Sequence, residues 1–247
     1  MQIAIVLYPR FTALDFIGPY EVLRALPDAQ VRFVAHAPGP VANDAGGLLV
    51  GATHGFDETP EPDIVLVPGG PGCVAATRDE ELLAWLRAAH THATWTTSVC
   101  TGSVILAAAG LLEGRSATSH WSGLPALRTF GVAPVPDRRI VHEGDVVTAA
   151  GVSAGIDLGL WLAARIGGDE FAQAIQLVLE YDPQPPFDTG HMSKASAATK
   201  ARATALLSRD LADVESLRDG ALFAWDRAIA AIRGLRPGLT TRLRRAI

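Results

Sequence analysis

The sequence predicts an α/β protein, a three-layer α/β/α sandwich with a mostly parallel central sheet and a helical C-terminal extension. Three observations lead to this fold class. The 247 residues are 49% hydrophobic, enough for one domain with a large core. The first half alternates short apolar runs with helical stretches. The apolar runs do not alternate with polar residues, which is typical of strands buried on both faces and joined by right-handed crossovers.

The individual elements follow from apolar runs, turn residues and caps. The candidate strands are Ile3–Leu7, Val31–Ala35, Ile64–Val67, Ala93–Val99 and Ser116–His120. The helical patterns between them are Gly18–Leu26, Glu80–His90 and Thr101–Leu112. A hairpin is predicted from Arg139–His142 and Val146–Ala149, turning at residues 143–145. Two further helices are predicted at Ala154–Ile166, capped by Ser153, and at Glu170–Tyr181, started by Asp169.

The last part of the chain differs in charge from the rest. The whole chain has a net charge of -5, but residues 194–247 contain 11 Lys and Arg side chains against 5 Asp and Glu. Proline-rich residues 182–188 interrupt regular structure before this segment. Amphipathic helices are predicted within it at Ala197–Leu207 and Leu222–Ile232. We therefore divide the chain into a catalytic domain over residues 1–190 and a helical extension over residues 191–247.

Composition excludes several classes of function. Two cysteines make neither a disulfide framework nor a four-cysteine zinc site, so reduced thiols and a cytoplasmic location are expected. The apolar run at Ile3–Leu7 is too short for a signal peptide, and no run is long enough to span a membrane. The acidic balance gives no reason to expect nucleic acid as a partner of the whole molecule.

Unusual residues follow three of the predicted strands. Residues 14–19 (LDFIGP) come after the first strand, residues 68–72 (PGGPG) after the third, and residues 100–103 (CTGS) after the fourth. In an open parallel sheet, ligands bind beyond the carboxyl ends of the strands, where the strand order reverses. The sequence therefore predicts that these three segments meet in one pocket.

Cys100 is the candidate nucleophile of this pocket. It stands where a β-rich run passes directly into a helical one, close to free N–H groups and the helix dipole, which favour a thiolate. We therefore expect this setting to lower its pKa, while Gly102 lets another backbone approach the turn closely. The alternative is a buried, inert cysteine, which is common in protein cores.

The glycine-rich segment and Asp15 are candidates for the polar parts of the site. The backbone N–H groups of residues 69–72 can serve as an oxyanion hole, although glycine-rich turns are common. Cys73 directly follows them, and we interpret it as a bystander. Asp15 lies among Leu14, Phe16 and Ile17, where desolvation raises a carboxyl pKa and suits a general acid; a structural role at the start of a helix is the alternative.

Histidines contribute one secondary candidate. His120 is predicted at the end of a strand and can reach the same edge of the sheet, although a strand-end histidine is more often structural. The other histidines are His36, His54, His90, His92, His142 and His191. None of them shows metal-ligand spacing with a cysteine or carboxylate. No metal site is therefore expected.

At these residues the chain resembles the ThiJ/PfpI superfamily, whose members share a flavodoxin-like, glutamine-amidotransferase-like fold. The resemblance covers residues 1–190 and is carried by five segments in the same order: LDFIGPYEVL (14–23), VPGGPG (67–72), VCTGS (99–103), LLEGRSATSHW (111–121) and AGVSAGIDL (150–158). The protease-like and glyoxalase-like branches usually have glutamate at position 15, and the proteases have histidine at position 101. Asp15 and Thr101 resemble instead the branch that hydrates isonitriles.

That resemblance implies a homodimeric enzyme that adds water to a small isonitrile and gives an N-substituted formamide, without metal or organic cofactor. Asp15, Cys100 and Thr101 are then catalytic: Asp15 protonates the isonitrile carbon, the Cys100 thiolate adds to it, and Thr101 orients the carboxyl or water. We expect the substrate to be bound by Gly70, Pro71, Gly72, Phe16, Ile17, His120 and Trp121.

Two alternative functions remain open from the sequence. The Cys-Thr-Gly-Ser and Ser-His-Trp segments also resemble the ligand-sensing half of AraC-type regulators. Such regulators carry two helix-turn-helix units, on the order of 100 residues of compact helical structure, after the sensing domain. The basic tail here has 54 residues and no convincing recognition helix. A glyoxalase or deglycase that acts on reactive carbonyls through Cys100 with Asp15 or His120 is the second alternative.

Overall fold

The central sheet follows the predicted plan. The computed structural model describes residues 1–210 and 214–233. Its strands are β1 (Gln2–Val6), β2 (Gln30–Ala35), β3 (Gly39–Ala42), β4 (Leu49–Ala52), β5 (His54–Gly55), β6 (Ile64–Val67), β7 (Trp95–Val99), β8 (Ser116–Ala117), β9 (Ala133–Pro134), β10 (Ile140–Glu143) and β11 (Val146–Ala149). The large sheet has the order β10-β11-β7-β6-β1-β2-β5, and only its β10–β11 pair is antiparallel.

Helices cover both faces of this sheet. They are α1 (Ala13–Leu23), α2 (Cys73–Ala76), α3 (Glu80–His90), α4 (Gly102–Ala108), α5 (Leu124–Thr129), α6 (Ala154–Gly167), α7 (Asp169–Val178), α8 (Ala197–Asp210) and α9 (Val214–Arg233). The mostly parallel sheet with flanking helices and a helical C-terminal region confirms the predicted fold class. None of the described helices is both long and apolar enough to cross a membrane.

The strand order reverses at the centre of the sheet. From β1 the chain first builds outward through β2 and β5, then returns to the other side of β1 and adds β6, β7 and β11. The register pairs Ile3 with Ile64 and Ile5 with Leu66, and these apolar side chains are buried in the core. A crevice therefore opens between the carboxyl ends of β1 and β6, which is where open α/β sheets bind ligands.

One predicted strand is wrong. Only Ser116–Ala117 of the predicted strand at Ser116–His120 is extended, and it pairs with β9 in a separate two-stranded sheet. The N–H of Thr118 donates instead to the hydroxyl of Thr148 at 3.0 Å, so a side chain takes the place of the next strand partner. The following segment crosses the ends of β7 and β11, which still brings His120 to the predicted edge.

Helix α1 begins five residues earlier than the sequence pattern predicts. It starts at Ala13, so Asp15 lies in its first turn and Pro19 lies inside the helix. Proline has no N–H, so the carbonyl of Asp15 lacks its usual helical donor. The backbone of α6 comes close at this point: a Cβ on Gly155 would lie 2.9 Å from Pro19 Cδ and 3.1 Å from the Asp15 carbonyl oxygen.

The hairpin and the later helices agree with the sequence pattern, apart from their ends. Helix α4 is shorter than predicted and ends at Ala108, just before Gly110 with φ 85°. Helix α9 packs against the preceding part of the chain through an Arg78–Asp226 ion pair of 3.0 Å. The Arg227 guanidinium also lies 4.3 Å from the centre of the Phe130 ring. Most of the basic excess of residues 194–247 comes from residues 234–247, which lie outside the described residues. The division at residue 190 stays a prediction.

Candidate active site

The loops that follow β1, β6 and β7 meet at the crevice. The N–H of Gly69 donates to Asp15 Oδ2 at 2.8 Å, which joins the second loop to helix α1. The N–H of Gly70 donates to Thr101 Oγ1 at 3.0 Å, which joins it to the residue after Cys100. The structure therefore brings together the three strand ends that the sequence singled out.

Cys100 occupies a strained turn between β7 and α4. Its φ is 59°, a left-handed conformation that costs a residue with a side chain of order 1–3 kcal/mol. The turn can be this tight because Gly102 has no side chain: a Cβ there would lie 2.1 Å from the Val67 carbonyl oxygen. The surrounding structure thus holds the thiol at one position, as a strand-to-helix nucleophile turn does.

The environment of the Cys100 thiol contains opposing influences. The backbone N–H groups of Val152 and Thr101 hydrogen-bond to the sulfur and lower its pKa. Burial, which leaves the residue 5% exposed, and the nearby Asp15 carboxylate both raise it. Burial is the largest influence, so the pKa lies well above the usual value. The predicted lowering is therefore wrong: Cys100 is a thiol at rest.

Asp15 is fully buried, as its apolar neighbours predict. Burial raises its pKa from 3.8 to about 7, against the hydrogen bonds from Gly69 and Cys100, which lower it; Asp44 adds a smaller raising effect. Oδ2 accepts the Gly69 N–H, while Oδ1 is buried without a standard hydrogen-bond partner among the described residues. Asp15 is therefore a buried acid that can hold a proton near neutral pH.

The glycine-rich turn holds the catalytic candidates and leaves no amide free for a substrate. Gly69 donates to Asp15 and Gly70 to Thr101. The N–H of Gly72 donates to the Arg10 carbonyl at 3.2 Å, and Pro71 has no N–H. The oxyanion-hole role predicted for this turn is therefore wrong, because its donors are already used. Contact of a substrate with Gly70, Pro71 or Gly72 stays a prediction.

Thr101 links the glycine-rich turn to a second buried thiol. Besides accepting from Gly70, its hydroxyl hydrogen-bonds with Cys73 and lowers the pKa of that thiol. Burial is stronger, and it raises the pKa of Cys73 to about 11. Cys73 is therefore a neutral thiol behind Thr101, and its assignment as a bystander stays a prediction.

The Ser119–Trp121 segment borders the turn at Cys100. Ser119 Oγ donates to the Cys100 carbonyl at 2.9 Å. The next residue, His120, hydrogen-bonds through Nδ1 to Ser122 Oγ at 2.7 Å, and burial lowers its pKa. Its ring lies against Gly151, where a Cβ would be 2.7 Å from His120 Cδ2. His120 is thus a neutral imidazole beside the pocket.

A cleft of about 570 Å³ opens beside this site. His120 and Trp121 line it, as predicted, but Cys100, Asp15 and Thr101 do not. Val152 connects the cleft to Cys100, because it lines the cleft and its N–H hydrogen-bonds to the Cys100 sulfur.

Two residues predicted as walls of the pocket, Phe16 and Ile17, do not line the cleft. The Phe16 ring is 2% exposed and packs edge-to-face on Phe11 at 5.3 Å and Phe33 at 5.6 Å, so it belongs to the core. Ile17 is half-buried on the same helix and does not line the cleft. Leu14, 43% exposed, is the residue of α1 that does. The predicted helix start at Gly18 gave no basis for assigning the faces of this turn.

Sequence reasoning missed three contributors to the site: Leu14, Ser119 and Val152. Val152 has a φ of 23°, which is unusual for a β-branched residue and indicates a constrained loop. Each of the three lies in a segment that carries the family resemblance, Leu14 in residues 14–23, Ser119 in 111–121 and Val152 in 150–158, but the resemblance alone does not show which side chains face the site. Across residues 1–210 and 214–233, no group of three or more His, Cys, Asp and Glu side chains is arranged to hold a metal ion.

Comparisons with known proteins agree with this geometry. The profile of the DJ-1/PfpI family matches residues 1–165. An isonitrile hydratase from Pseudomonas putida is 44% identical over 198 residues, which is 80% of this chain and 86% of the relative. A ThiJ/PfpI family protein from Pseudomonas syringae has a crystal structure that matches with a TM-score of 0.82 and 38% identity, covering 90% of both chains.

A transcriptional regulator is also similar over part of its length. The HTH-type regulator CdhR from Pseudomonas aeruginosa is 30% identical over 171 residues. The match covers 67% of this chain and 51% of the regulator. The similarity thus extends over about half of the regulator's own length.

Proposed function

This chain belongs to the DJ-1/PfpI family, and from that membership we propose that it is an isonitrile hydratase that converts a small isonitrile and water into an N-substituted formamide. The observation that carries the proposal is the pairing of a buried Asp15 carboxyl with the Cys100 thiol. The 44% identity to an isonitrile hydratase supports the same reaction. The cytoplasmic homodimer expected from the sequence stays a prediction.

The substrate dictates what the site must supply. The terminal carbon of an isonitrile carries a lone pair and becomes a good electrophile only when it is protonated. An acid is therefore needed first, and a nucleophile second. Asp15 fits the acid, because burial raises its pKa to about 7, and the Cys100 thiol hydrogen-bonds to the same carboxyl.

In the first step, the Asp15 proton passes to the isonitrile carbon while the Cys100 sulfur forms a bond to the same carbon. The thiol proton moves to the Asp15 carboxylate, so the acid is regenerated. The product is a neutral thioimidate on Cys100. The raised pKa of Cys100 is compatible with this step, because the thiol gives up its proton only as the new bond forms.

In the second step, water adds to the thioimidate carbon. Asp15 gives its proton to the nitrogen and takes one from the water, which leaves a tetrahedral intermediate bound to sulfur. The carbon–sulfur bond then breaks as the hydroxyl becomes a carbonyl, and the hydroxyl proton returns to the sulfur through Asp15. The formamide leaves, with Cys100 as a thiol and Asp15 as an acid.

The remaining residues position these two groups. Gly69 holds one carboxyl oxygen of Asp15, and Thr101 is held by Gly70 beside the thiol. The N–H of Val152 contacts the sulfur and supports negative charge that develops there. His120 and Trp121 border the cleft that would receive the substituent of the isonitrile.

The reaction class is tested by incubating the purified protein with cyclohexyl isonitrile and measuring N-cyclohexylformamide by chromatography and mass spectrometry. We expect formamide above the rate in buffer alone. A parallel incubation with methylglyoxal tests the carbonyl-directed alternative. Consumption of methylglyoxal without any formamide would overturn the proposal in favour of that alternative.

A further inference from the structure

The cleft beside Cys100 has two walls from distant parts of the chain. One wall is the catalytic domain, with His120, Trp121 and the loop containing Val152. The other is the C-terminal segment at residues 189–203, which includes the first two turns of α8. The start of the helical extension therefore shapes the space into which the substituent of a substrate would extend.

The charge of this cleft is opposite to that of the chain. Arg138, Arg139 and Lys200 line it, and Asp137 is its one lining carboxylate within the described part of the chain. The chain as a whole carries -5. Arg139 is already engaged, since its guanidinium pairs with Asp157 outside the cleft. The cationic excess is thus concentrated at one opening of an acidic protein.

Two of these cations have no counterion among the residues that the structure describes. Neither the Arg138 guanidinium nor the Lys200 ammonium has a hydrogen bond or ion pair with any residue in the described ranges 1–210 and 214–233. Arg138 is exposed on the loop after β9, whereas Lys200 is half-buried on α8. The two face the same cleft from opposite walls. A partly buried lysine side chain whose ammonium has no ion pair with the described residues can hold an anion at that point.

The rest of the lining limits what that anion can be attached to. Leu14, Trp121, Leu124, Met192 and Ala203 give the same cleft an apolar lining beside Val152 and the two cations. Such a lining accommodates an aliphatic chain. A ligand that fills the cleft from the reacting carbon outward therefore combines an apolar spacer with a terminal negative charge.

We propose that the preferred substrate is an isonitrile whose aliphatic substituent ends in a carboxylate, which Lys200 and Arg138 bind. This inference rests on the proposed isonitrile hydration and specifies its substrate class. The cations add no chemistry to the reacting carbon; they are specificity-determining residues that fix the far end of the substrate. Binding energy from this end also helps to hold the isonitrile carbon beside Cys100.

The test compares 5-isocyanopentanoate with pentyl isonitrile, which has the same chain length without the charge. The measured quantity is the ratio of kcat/KM for the carboxylate to kcat/KM for the neutral substrate. We expect a ratio of about five in the wild type at low salt, the size of effect that a partly exposed ion pair gives. The ratio should fall toward one at 0.5 M NaCl, because salt screens exposed charges.

Variants separate the cleft cations from the general charge of the protein. Lys200→Met keeps the aliphatic stem and should bring the ratio to about one, and Lys200→Glu should bring it below one. Lys194→Met is the matched control, because Lys194 pairs with Asp188 and does not line the cleft. It removes the same charge from the same segment and should keep the wild-type ratio.

The outcomes distinguish this inference from the proposed function. Hydration of both substrates with a ratio near one, unchanged by Lys200→Glu, would overturn the carboxylate preference and leave isonitrile hydration standing. An equal fall of the ratio in Lys194→Met and Lys200→Met would also overturn it, since net charge would then explain the preference. No formamide from either substrate would overturn both proposals.

Discussion

Asp15 Oδ2 accepts a 2.8 Å hydrogen bond from the Gly69 N–H, and this bond fixes a fully buried carboxyl beside the Cys100 thiol. The bond joins the loop after β6 to the first turn of α1 at the point where the strand order reverses. The other oxygen, Oδ1, is also buried and has no standard hydrogen-bond partner among the described residues. The proposed chemistry depends on the proton that this buried carboxyl carries next to the thiol.

The activity should depend on the protonated form of Asp15. Its pKa is raised to about 7 by burial, so the fraction that carries a proton falls as the pH rises through that value. We expect kcat/KM for cyclohexyl isonitrile to be constant below about pH 6 and to fall tenfold per pH unit well above pH 7. The measurement is a pH–rate profile. A rate that instead rises between pH 7 and pH 9 would mean that a thiolate is the reacting form.

The free energy of unfolding should depend on pH through the same ionisation of Asp15. A buried carboxyl with a raised pKa stabilises the folded state fully below its unfolded pKa of 3.8, and that contribution is lost as the pH rises toward about 7. From pH 5 to pH 8, the wild type should lose about 2–3 kcal/mol of unfolding free energy relative to Asp15→Asn.

Urea unfolding of both proteins at the two pH values measures this difference. The asparagine variant is a suitable reference because it keeps the shape of the side chain without the titration. Other groups, such as His120 with its lowered pKa, contribute equally to both proteins and cancel. Parallel pH dependence of the two proteins would show that Asp15 ionises with an ordinary pKa.

The resting state of Cys100 is tested by alkylation. Because burial and Asp15 raise its pKa, iodoacetamide should modify Cys100 more slowly at pH 7 than it modifies N-acetylcysteine. The rate should still be rising above pH 9. Peptide mapping separates Cys100 from Cys73, and Cys100→Ala gives the background. Faster modification than of N-acetylcysteine at pH 6 would contradict a neutral thiol.

Thr101 is predicted to act by positioning. Its hydroxyl accepts the Gly70 N–H at 3.0 Å and is half-exposed beside the thiol. In Thr101→Val the amide loses its acceptor, and we expect a loss of about 1 kcal/mol in stability and about tenfold in kcat, with KM within about twofold. Thr101→Ser keeps the hydroxyl and should restore most of kcat. If Thr101→Ser were as slow as Thr101→Val, the hydroxyl would not be the group that positions the site.

Local sequence patterns predicted most strands of the sheet, because an apolar run and the turn residues after it are neighbours in the sequence. The unalternating run at Ile64–Val67 and the loop residues after it identified β6 and the crevice. Apolar neighbours around Asp15 also predicted correctly that its carboxyl is desolvated. These inferences needed only the chain near each residue.

The errors arose where distant segments decide the outcome. The pattern at Cys100 suggested a lowered pKa, but burial by the surrounding chain outweighs the N–H groups. The sequence suggested that the Gly70 N–H is free to bind a substrate, but the hydroxyl of Thr101, 31 residues away, accepts it. The role of Val152 depends on a loop that reaches the sulfur from 52 residues further along the chain. No periodicity in the sequence encodes such contacts.

The central claim is that Asp15 and Cys100 together hydrate an isonitrile, and the initial rate of N-cyclohexylformamide formation tests it most directly. Wild type should form the product, whereas Cys100→Ala and Asp15→Asn should each be at least about a hundredfold slower. Cys73→Ala removes the other buried thiol and should stay near the wild-type rate. Formamide formed by Cys100→Ala at the wild-type rate would contradict the account.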